Sequence, residues 1–433
     1  MKTVRVQKPK YDIMKVLWIT NILFGYHHEM LGIDSSVVSG GSWLYAAYDA
    51  TKVNSDIQLH IVTVSNVHDL IEGEKDGHYF YILPGGGSNC YDINSARNIY
   101  QWEKLRDRVD PDVVIVWGTE KRFSYLAMTI MKGIPMAIYM QGVIGNIYQS
   151  YYEGVPFKYQ NCTLRDFIDK WNPHSTINTF KNQVILEQEM LKMATGVIVE
   201  NDWCEDVCRS INNKLFIYRN PLPIREVFSS KEWSIDRMKR HTIFTNAGGY
   251  PIKGHHILFK ALGIVKKQYP DFKCYIPGPK LSLFDGIKRR TGFTKYLNTL
   301  IKLNGLEDNV IYLGPQTAEQ MVENILLCNV YVMPSVMENH SASLIESMYV
   351  GVPCISSLVG GTANLVRHKE NGLLYNSLDG KSLAGCIIRL FENDDLANTI
   401  SRGALRLREQ RKCDFGHELV SISHQVISDS RCI

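Results

Sequence analysis

Nowhere does the chain approach about 18 consecutive apolar residues, so no conventional transmembrane helix is expected. It has no C-x-x-C pair. Its ten cysteines are scattered, several in apolar settings such as Cys274, Cys328 and Cys354. Cys204 and Cys208 have helical spacing but no nearby set of histidines, so a zinc site is not expected and reduced thiols in a cytoplasmic protein are. Charge of one sign is also missing: the net charge is +4, and no run of lysine and arginine suggests a nucleic-acid partner. Met1 to Tyr11 is basic and lacks the apolar core of a signal peptide, while Val16 to Ile22, broken by Thr20 and Asn21, reads as a first strand. No G-x-G-x-x-G follows that strand, which makes a nicotinamide dehydrogenase a poor fit.

What remains describes a globular protein, with 45% hydrophobic and 21% charged residues. At 433 residues it exceeds one ordinary core, so two domains are expected. Short β-branched runs alternate with longer amphipathic segments, the pattern of parallel sheets wrapped by helices. Strands are predicted at Val16–Thr20, Leu59–Val64, Tyr79–Leu83, Val113–Trp117, Met136–Met140 and Gly196–Glu200. Helices are predicted near Ser42–Thr51, Asn94–Val109 and Arg122–Met131, with a long stretch over Arg165–Ala194 that cannot run unbroken through Pro173. The pattern pauses at Asn220-Pro-Leu-Pro223, a candidate linker. It restarts with strands at Thr242–Asn246, Lys273–Ile276, Val310–Leu313, Val330–Met333 and Cys354–Ser356. The fold class is therefore α/β: two Rossmann-like, doubly wound domains (1–223 and 224–413) facing a cleft, where ligands collect beyond the strands' C-terminal ends.

The densest segment is Met333-Pro-Ser-Val-Met-Glu338-Asn339-His-Ser341-Ala-Ser343-Leu344-Ile-Glu346. A strand stops at Pro334, a polar turn follows, and an apolar-periodic helix begins near Ser341. Helix-start amides point outward and favour an anion, and carboxylates beside them can accept hydroxyl hydrogen bonds. A ligand with phosphate in the middle and polyols at both ends, such as a nucleotide sugar, matches this pattern. Asn246-Ala-Gly248-Gly249-Tyr-Pro-Ile-Lys253-Gly254 follows another strand, with Lys253 at the start of the next helix. Its paired glycines allow close backbone approach and its lysine offers a point charge, although a tight turn with a solvated lysine explains it equally well. Ser39-Gly40-Gly41-Ser42 opens the first helix of the first half, facing the cleft from the other side. Glu120 and Gln141 end two strands of that half, where acceptor or donor-sugar hydroxyls would lie, though Glu120 also suits a helix N-terminus.

Other signals carry less. Asp110-Pro-Asp112 precedes its strand, at the wrong sheet edge for a metal, and His27-His28-Glu29 reads as a loop over the cleft. His340 suits the turn before the helix, and Asn161-Cys-Thr163 fits a glycosylation pattern without an export signal to give it meaning. Aromatic and basic residues mix from Tyr148 to Trp171, either as a surface for a lipid-linked acceptor or as ordinary packing.

Taken together, Glu338-x7-Glu346 with Gly351-Val-Pro353, the Gly248-to-Gly254 loop, Gly40-Gly41, Leu313-Gly314 and Leu358-to-Tyr375 resemble family 4 glycosyltransferases of the GT-B fold. The resemblance is strongest from Thr242 to Tyr375. It implies retaining, metal-independent transfer of a sugar from a UDP- or GDP-type donor, with no cofactor and no dedicated base. It implies that Glu338 contacts donor-sugar hydroxyls and Glu346 the ribose. Lys253 and the amides of Ser341 to Leu344 would hold the diphosphate, Gly41, Gly248, Gly249, Asn339 and Ser343 would line the donor site, and a helix near 414–433 would pack back on the first domain. Two positions depart from the pattern: Gly248 stands where members commonly carry arginine, and Gln141 where they often carry histidine. The expected role is extension of a surface polysaccharide or lipid-linked glycan, in the cytoplasm or at the inner membrane face. The alternatives are a nucleotide-sugar epimerase of the same fold and a non-catalytic sugar-nucleotide-binding subunit.

Overall fold

The computed structural model describes residues 13–33, 41–85, 91–160, 173–245, 248–278, 292–411 and 413–432. The remaining positions, among them Gly40, Asn246, Asn161 and Trp171, lie outside the described residues. Two sheets organise the chain. The first contains β1 (Met14–Thr20), β2 (Ile57–Ser65), β3 (Ile71–Lys75), β4 (His78–Pro84), β5 (Val113–Trp117), β6 (Met136–Tyr139), β7 (Gly196–Val199) and β8 (Phe216–Arg219), in the order β3-β4-β2-β1-β5-β6-β7-β8. The second contains β9 (Thr242–Thr245), β10 (Lys273–Ile276), β11 (Val310–Tyr312), β12 (Val330–Met333), β13 (Cys354–Leu358) and β14 (Leu373–Asn376), in the order β11-β10-β9-β12-β13-β14.

All pairings are parallel except β3 with β4, which is antiparallel. The central strands read as unbroken apolar runs because helices cover both faces: every residue of β5, β9 and β12 is buried. β3, with the sequence Ile-Glu-Gly-Glu-Lys, escaped the sequence reading because an exposed edge strand carries charge instead of a hydrophobic run. Strand order reverses between β1 and β5 in one sheet and between β9 and β12 in the other. Ligands in such sheets bind at the reversal, beyond the strands' C-terminal ends.

The chain crosses between domains more than once. Helix Phe415–Asp429 returns to the first domain, where Phe415, Leu419, Ile422 and Val426 share a core with Trp18, Trp117 and Tyr139. Removing the buried Phe415 ring by Phe415→Ala is expected to cost about 3–5 kcal/mol, read as a lower urea midpoint at unchanged slope. A first-domain segment travels the other way: Val155 lies in the second domain's core, and Tyr152 and Tyr159 pack against it. His256 Nε2 donates to Glu153 O at 2.9 Å, and the rings of Tyr159 and Tyr296 stack 4.8 Å apart. Tyr152, Val155 and Tyr159 of the aromatic and basic stretch thus pack on the second domain, while Phe157 and Lys158 are exposed.

Candidate functional site

Two loops meet at the reversal point of the second sheet. After β12, residues 334–341 run to the N-cap Ser341 of helix Ala342–Val350. After β9, the chain passes Gly248 and Gly249 to a single turn over Pro251–Lys253, and helix His255–Val265 follows. The loops are stitched by Val336 N donating to Ile252 O at 2.8 Å. Gly254 makes the contact possible: its φ is +71°, and a Cβ there would stand 1.8 Å from Pro334 O. Lys253 Nζ donates to Glu338 Oε1 at 2.6 Å, and Ser335 Oγ donates to the same oxygen at 2.7 Å. Burial pushes the Lys253 pKa down, but Glu338 and Tyr250 outweigh it and the net shift is upward. The side chains of Lys253 and Glu338 are 22% and 12% exposed, so the pair is mostly shielded but reachable from the cleft.

Ser341 Oγ accepts from Leu344 N at 3.4 Å, and Leu344 N also reaches Ser341 O at 3.1 Å. The Leu344 amide, expected at the phosphate, is thus already spent closing the first turn. The amides of Ala342 and Ser343 have no acceptor among the described residues and form the open end of the helix. The Ser343 hydroxyl turns inward, accepting from Tyr331 Oη at 3.0 Å, so only its backbone is left for a ligand. One turn further on, Glu346 is 7% exposed and accepts from Arg225 Nε at 3.0 Å and Nη2 at 2.7 Å, both at Oε1. Burial raises its pKa, and Arg225 pulls it back.

The reversal point of the first sheet supplies the opposite wall. Asn21, just beyond β1, donates through Nδ2 to Glu120 Oε2 at 3.1 Å and to Gln141 Oε1 at 2.9 Å. Glu120 Oε1 accepts from Gly142 N at 3.1 Å. Asn21 Oδ1 and Gln141 Nε2 are buried without a partner among the described residues, one acceptor and one donor at the strand ends. Burial raises the Glu120 pKa, opposed by hydrogen bonds from its own backbone and from Asn21. Asn21 and Arg225 are site residues the sequence reading missed; the only local signal for Asn21 was a polar residue closing an apolar strand.

Asn339 sits where the walls join. Its Nδ2 donates to Met140 O and Gln141 O, each at 3.1 Å, and Asn201 Nδ2 donates to its Oδ1 at 3.0 Å. The side chain expected at the donor is therefore spent between the domains. His340 takes part too, with Nδ1 2.6 Å from the buried Glu200 carboxylate. Gly41 precedes helix Ser42–Thr51 at φ +74°, against Ile22 beyond β1. Gly249 is open, whereas a Cβ on Gly248 would stand 2.4 Å from the His255 ring. Any side chain at 248 would therefore require the His255 ring to shift. Among the described residues no cluster of three or more metal-ligating side chains occurs, and no helix is long and apolar enough to cross a membrane.

Comparison with known proteins bears on the fold and on the second half of the chain. The family described as "Glycosyl transferases group 1" matches residues 229–406. D-inositol 3-phosphate glycosyltransferase of Jonesia denitrificans is 27% identical over 160 residues, a match spanning 37% of this chain and 37% of that protein's length. Sucrose-phosphate synthase from Thermosynechococcus elongatus has a similar structure, with a TM-score of 0.70 at 16% identity, covering 96% of this chain and 99% of the other. Anabaena HepE in complex with UDP and glucose gives a TM-score of 0.65 at 16% identity, covering 94% and 99%. Residues 229–406 are thus similar to group 1 glycosyltransferases, and the two-domain chain has the GT-B fold.

Proposed function

We propose that the chain is a retaining, metal-independent glycosyltransferase of family 4 type. It would move a sugar from a nucleoside-diphosphate donor, UDP- or GDP-linked, to a hydroxyl of a glycan or lipid-linked acceptor, with no further cofactor. One observation carries this reading: the open amides of Ala342 and Ser343 lie between two carboxylates, Glu338 and Glu346, each held by its own cation. The diphosphate sits on those amides, and Lys253 turns from Glu338 toward it. Glu338 is then released to accept hydroxyls of the donor sugar, and Glu346 those of the ribose.

The acceptor hydroxyl approaches from the Asn21, Glu120 and Gln141 side. The bond from sugar C1 to the leaving phosphate oxygen breaks as the acceptor oxygen bonds to C1 on the same face, and the acceptor proton passes to the departing phosphate. Charge developing on the leaving group meets an ammonium and fixed peptide dipoles, a stabilisation that needs no bound cation. Extension of a surface polysaccharide on the cytoplasmic side, with peripheral contact to the membrane that carries the acceptor, is the setting in which such a reaction would serve.

The test is a panel of nucleotide sugars screened by thermal shift, followed by nucleotide release on adding glycan acceptors. One donor is expected to raise the melting temperature selectively and to be consumed only when acceptor is present. A new donor isomer formed without acceptor would mean an epimerase, and tight binding with no consumption across the panel would mean a binding subunit.

A further inference from the structure

Glu346 lies deeper than Glu338, and something must keep a carboxylate with 7% exposure in the right place. That group is Arg225, in the stretch just after the Asn220-to-Pro223 linker. Its guanidinium lies 4.7 Å over the ring of Phe228, which is fully buried in the single turn Glu226–Ser229. Stacked there, it directs both Nε and Nη2 to one oxygen, Oε1 of Glu346. Oε2 has no partner among the described residues, and neither has Arg225 Nη1.

A small cavity opens beside this pair, lined by Trp43, Pro223, Arg225, Ala342, Ile345 and Glu346. Its volume is about 20 Å3, room for a water molecule or a hydroxyl. Trp43 comes from the first domain, and its indole Nε1 is buried with no hydrogen-bond partner among the described residues. The cavity is therefore walled by a carboxylate that can accept, with Trp43 and His340 among its other walls. A hydroxyl entering it can donate its proton to the carboxylate.

We propose that Arg225 is a specificity-determining positioning residue: by holding Oε1 of Glu346 it aims Oε2 into this cavity, which receives one ribose hydroxyl and makes the site select ribonucleotides over deoxyribonucleotides. The inference rests on the reading of Glu346 as the ribose ligand and goes beyond it. It assigns Arg225, and the cavity that the first-domain Trp43 also lines, to the nucleotide site and names the discrimination that results. Arg225 acts only through Glu346, so its removal affects nucleotides through the ribose and leaves the diphosphate contacts of Lys253 and the helix amides intact.

Isothermal titration would compare whichever of UDP and GDP binds more tightly with its 2′-deoxy and 3′-deoxy analogues and with inorganic pyrophosphate. The wild-type chain is expected to bind at least one deoxy analogue about tenfold or more weakly, the effect of losing one charge-assisted hydrogen bond in a closed site. Arg225→Ala should bind the ribose and deoxyribose forms alike, with pyrophosphate affinity unchanged. Arg225→Lys keeps the charge but cannot send two N–H groups to one oxygen from a stacked plane, so its preference should fall between the two. Glu346→Gln preserves shape and buries no unpaired carboxylate; it is expected to fold and to lose the preference, which guards against misfolding of the alanine variant. Retained ribose preference in both Arg225 variants, or equal weakening of pyrophosphate and nucleotide, would overturn the assignment. Failure of the wild-type chain to bind either nucleotide would instead remove the underlying reading, and the assignment with it.

Discussion

Lys253→Ala should lower the rate of sugar transfer about 10²–10³-fold, the range seen when one preorganised donor to developing charge is removed. In the resting site the ammonium is the partner of Glu338 at 2.6 Å, and the two loops carrying them are joined through Val336 N and Ile252 O. The lysine can therefore change partners without movement of the backbone. When the leaving phosphate gains charge, no other cation of the Gly248-to-Gly254 loop can replace it, since Lys253 is its one basic residue. The loss should appear in kcat more than in KM, because the interaction strengthens as the bond to phosphate breaks. The fold should persist, as Glu338 keeps the Ser335 hydroxyl at 2.7 Å. Initial rates of nucleotide release with saturating donor and acceptor measure the effect. A variant within threefold of wild type, roughly 0.7 kcal/mol, would discard the role.

Glu338→Gln is the second large effect, and it carries a pH signature. Losing one charge-assisted hydrogen bond to a donor-sugar hydroxyl should cost roughly 10–100-fold in kcat/KM. The same change removes the strongest support for the charged form of Lys253. Burial disfavours the ammonium, and Glu338 with Tyr250 currently overrides it, so the folded pKa stands above the ordinary lysine value. A group with a raised folded pKa gives stability that is present at low pH and lost as pH climbs through that value. With the carboxylate neutralised, burial dominates and the lysine gives up its proton at lower pH. The alkaline limb of the transfer-rate profile should therefore move to lower pH in Glu338→Gln than in wild type. An unmoved limb would mean that Lys253 does not titrate with the reaction, and a limb moved upward would contradict the electrostatic argument.

The sequence made the scaffold legible wherever burial was symmetrical. β5 and β12 stand at the residues their apolar runs predicted, because a parallel strand covered on both faces cannot hide its composition. Helix Ala342–Val350 announced itself by Ser341 at its cap and by its apolar period. β3 was invisible for the opposite reason, as a short edge strand can carry charge and remain a strand, whereas β8, apolar apart from Arg219, was passed over. The site was legible only in part. Loop residues near one strand end could be named, but their partnerships join positions far apart in the chain. Asn21 finds Glu120 and Gln141 at separations of 99 and 120 residues, and Asn201 finds Asn339 at 138. Arg225 meets Glu346 across 121 residues. No local pattern encodes such a meeting, which exists only once both sheets have formed and the linker has turned.

Asn339 illustrates the limit well. Local sequence placed it between two donor carboxylates, and it is indeed beside Glu338, yet its amide is consumed by Met140, Gln141 and Asn201. It holds the walls of the cleft together, which fixes where Gln141 stands relative to Glu338. A residue next to a ligand site can thus serve the site without touching the ligand.

Hydrogen–deuterium exchange of the chain with and without a saturating nucleotide sugar tests the central claim most directly. If the diphosphate rests on the first turn of helix Ala342–Val350, peptides covering 338–346 and 248–258 will exchange more slowly in its presence, led by the amides of Ala342 and Ser343. If ligand binding is demonstrable but those peptides exchange unchanged, with protection confined to other surfaces, the helix start is not the phosphate site.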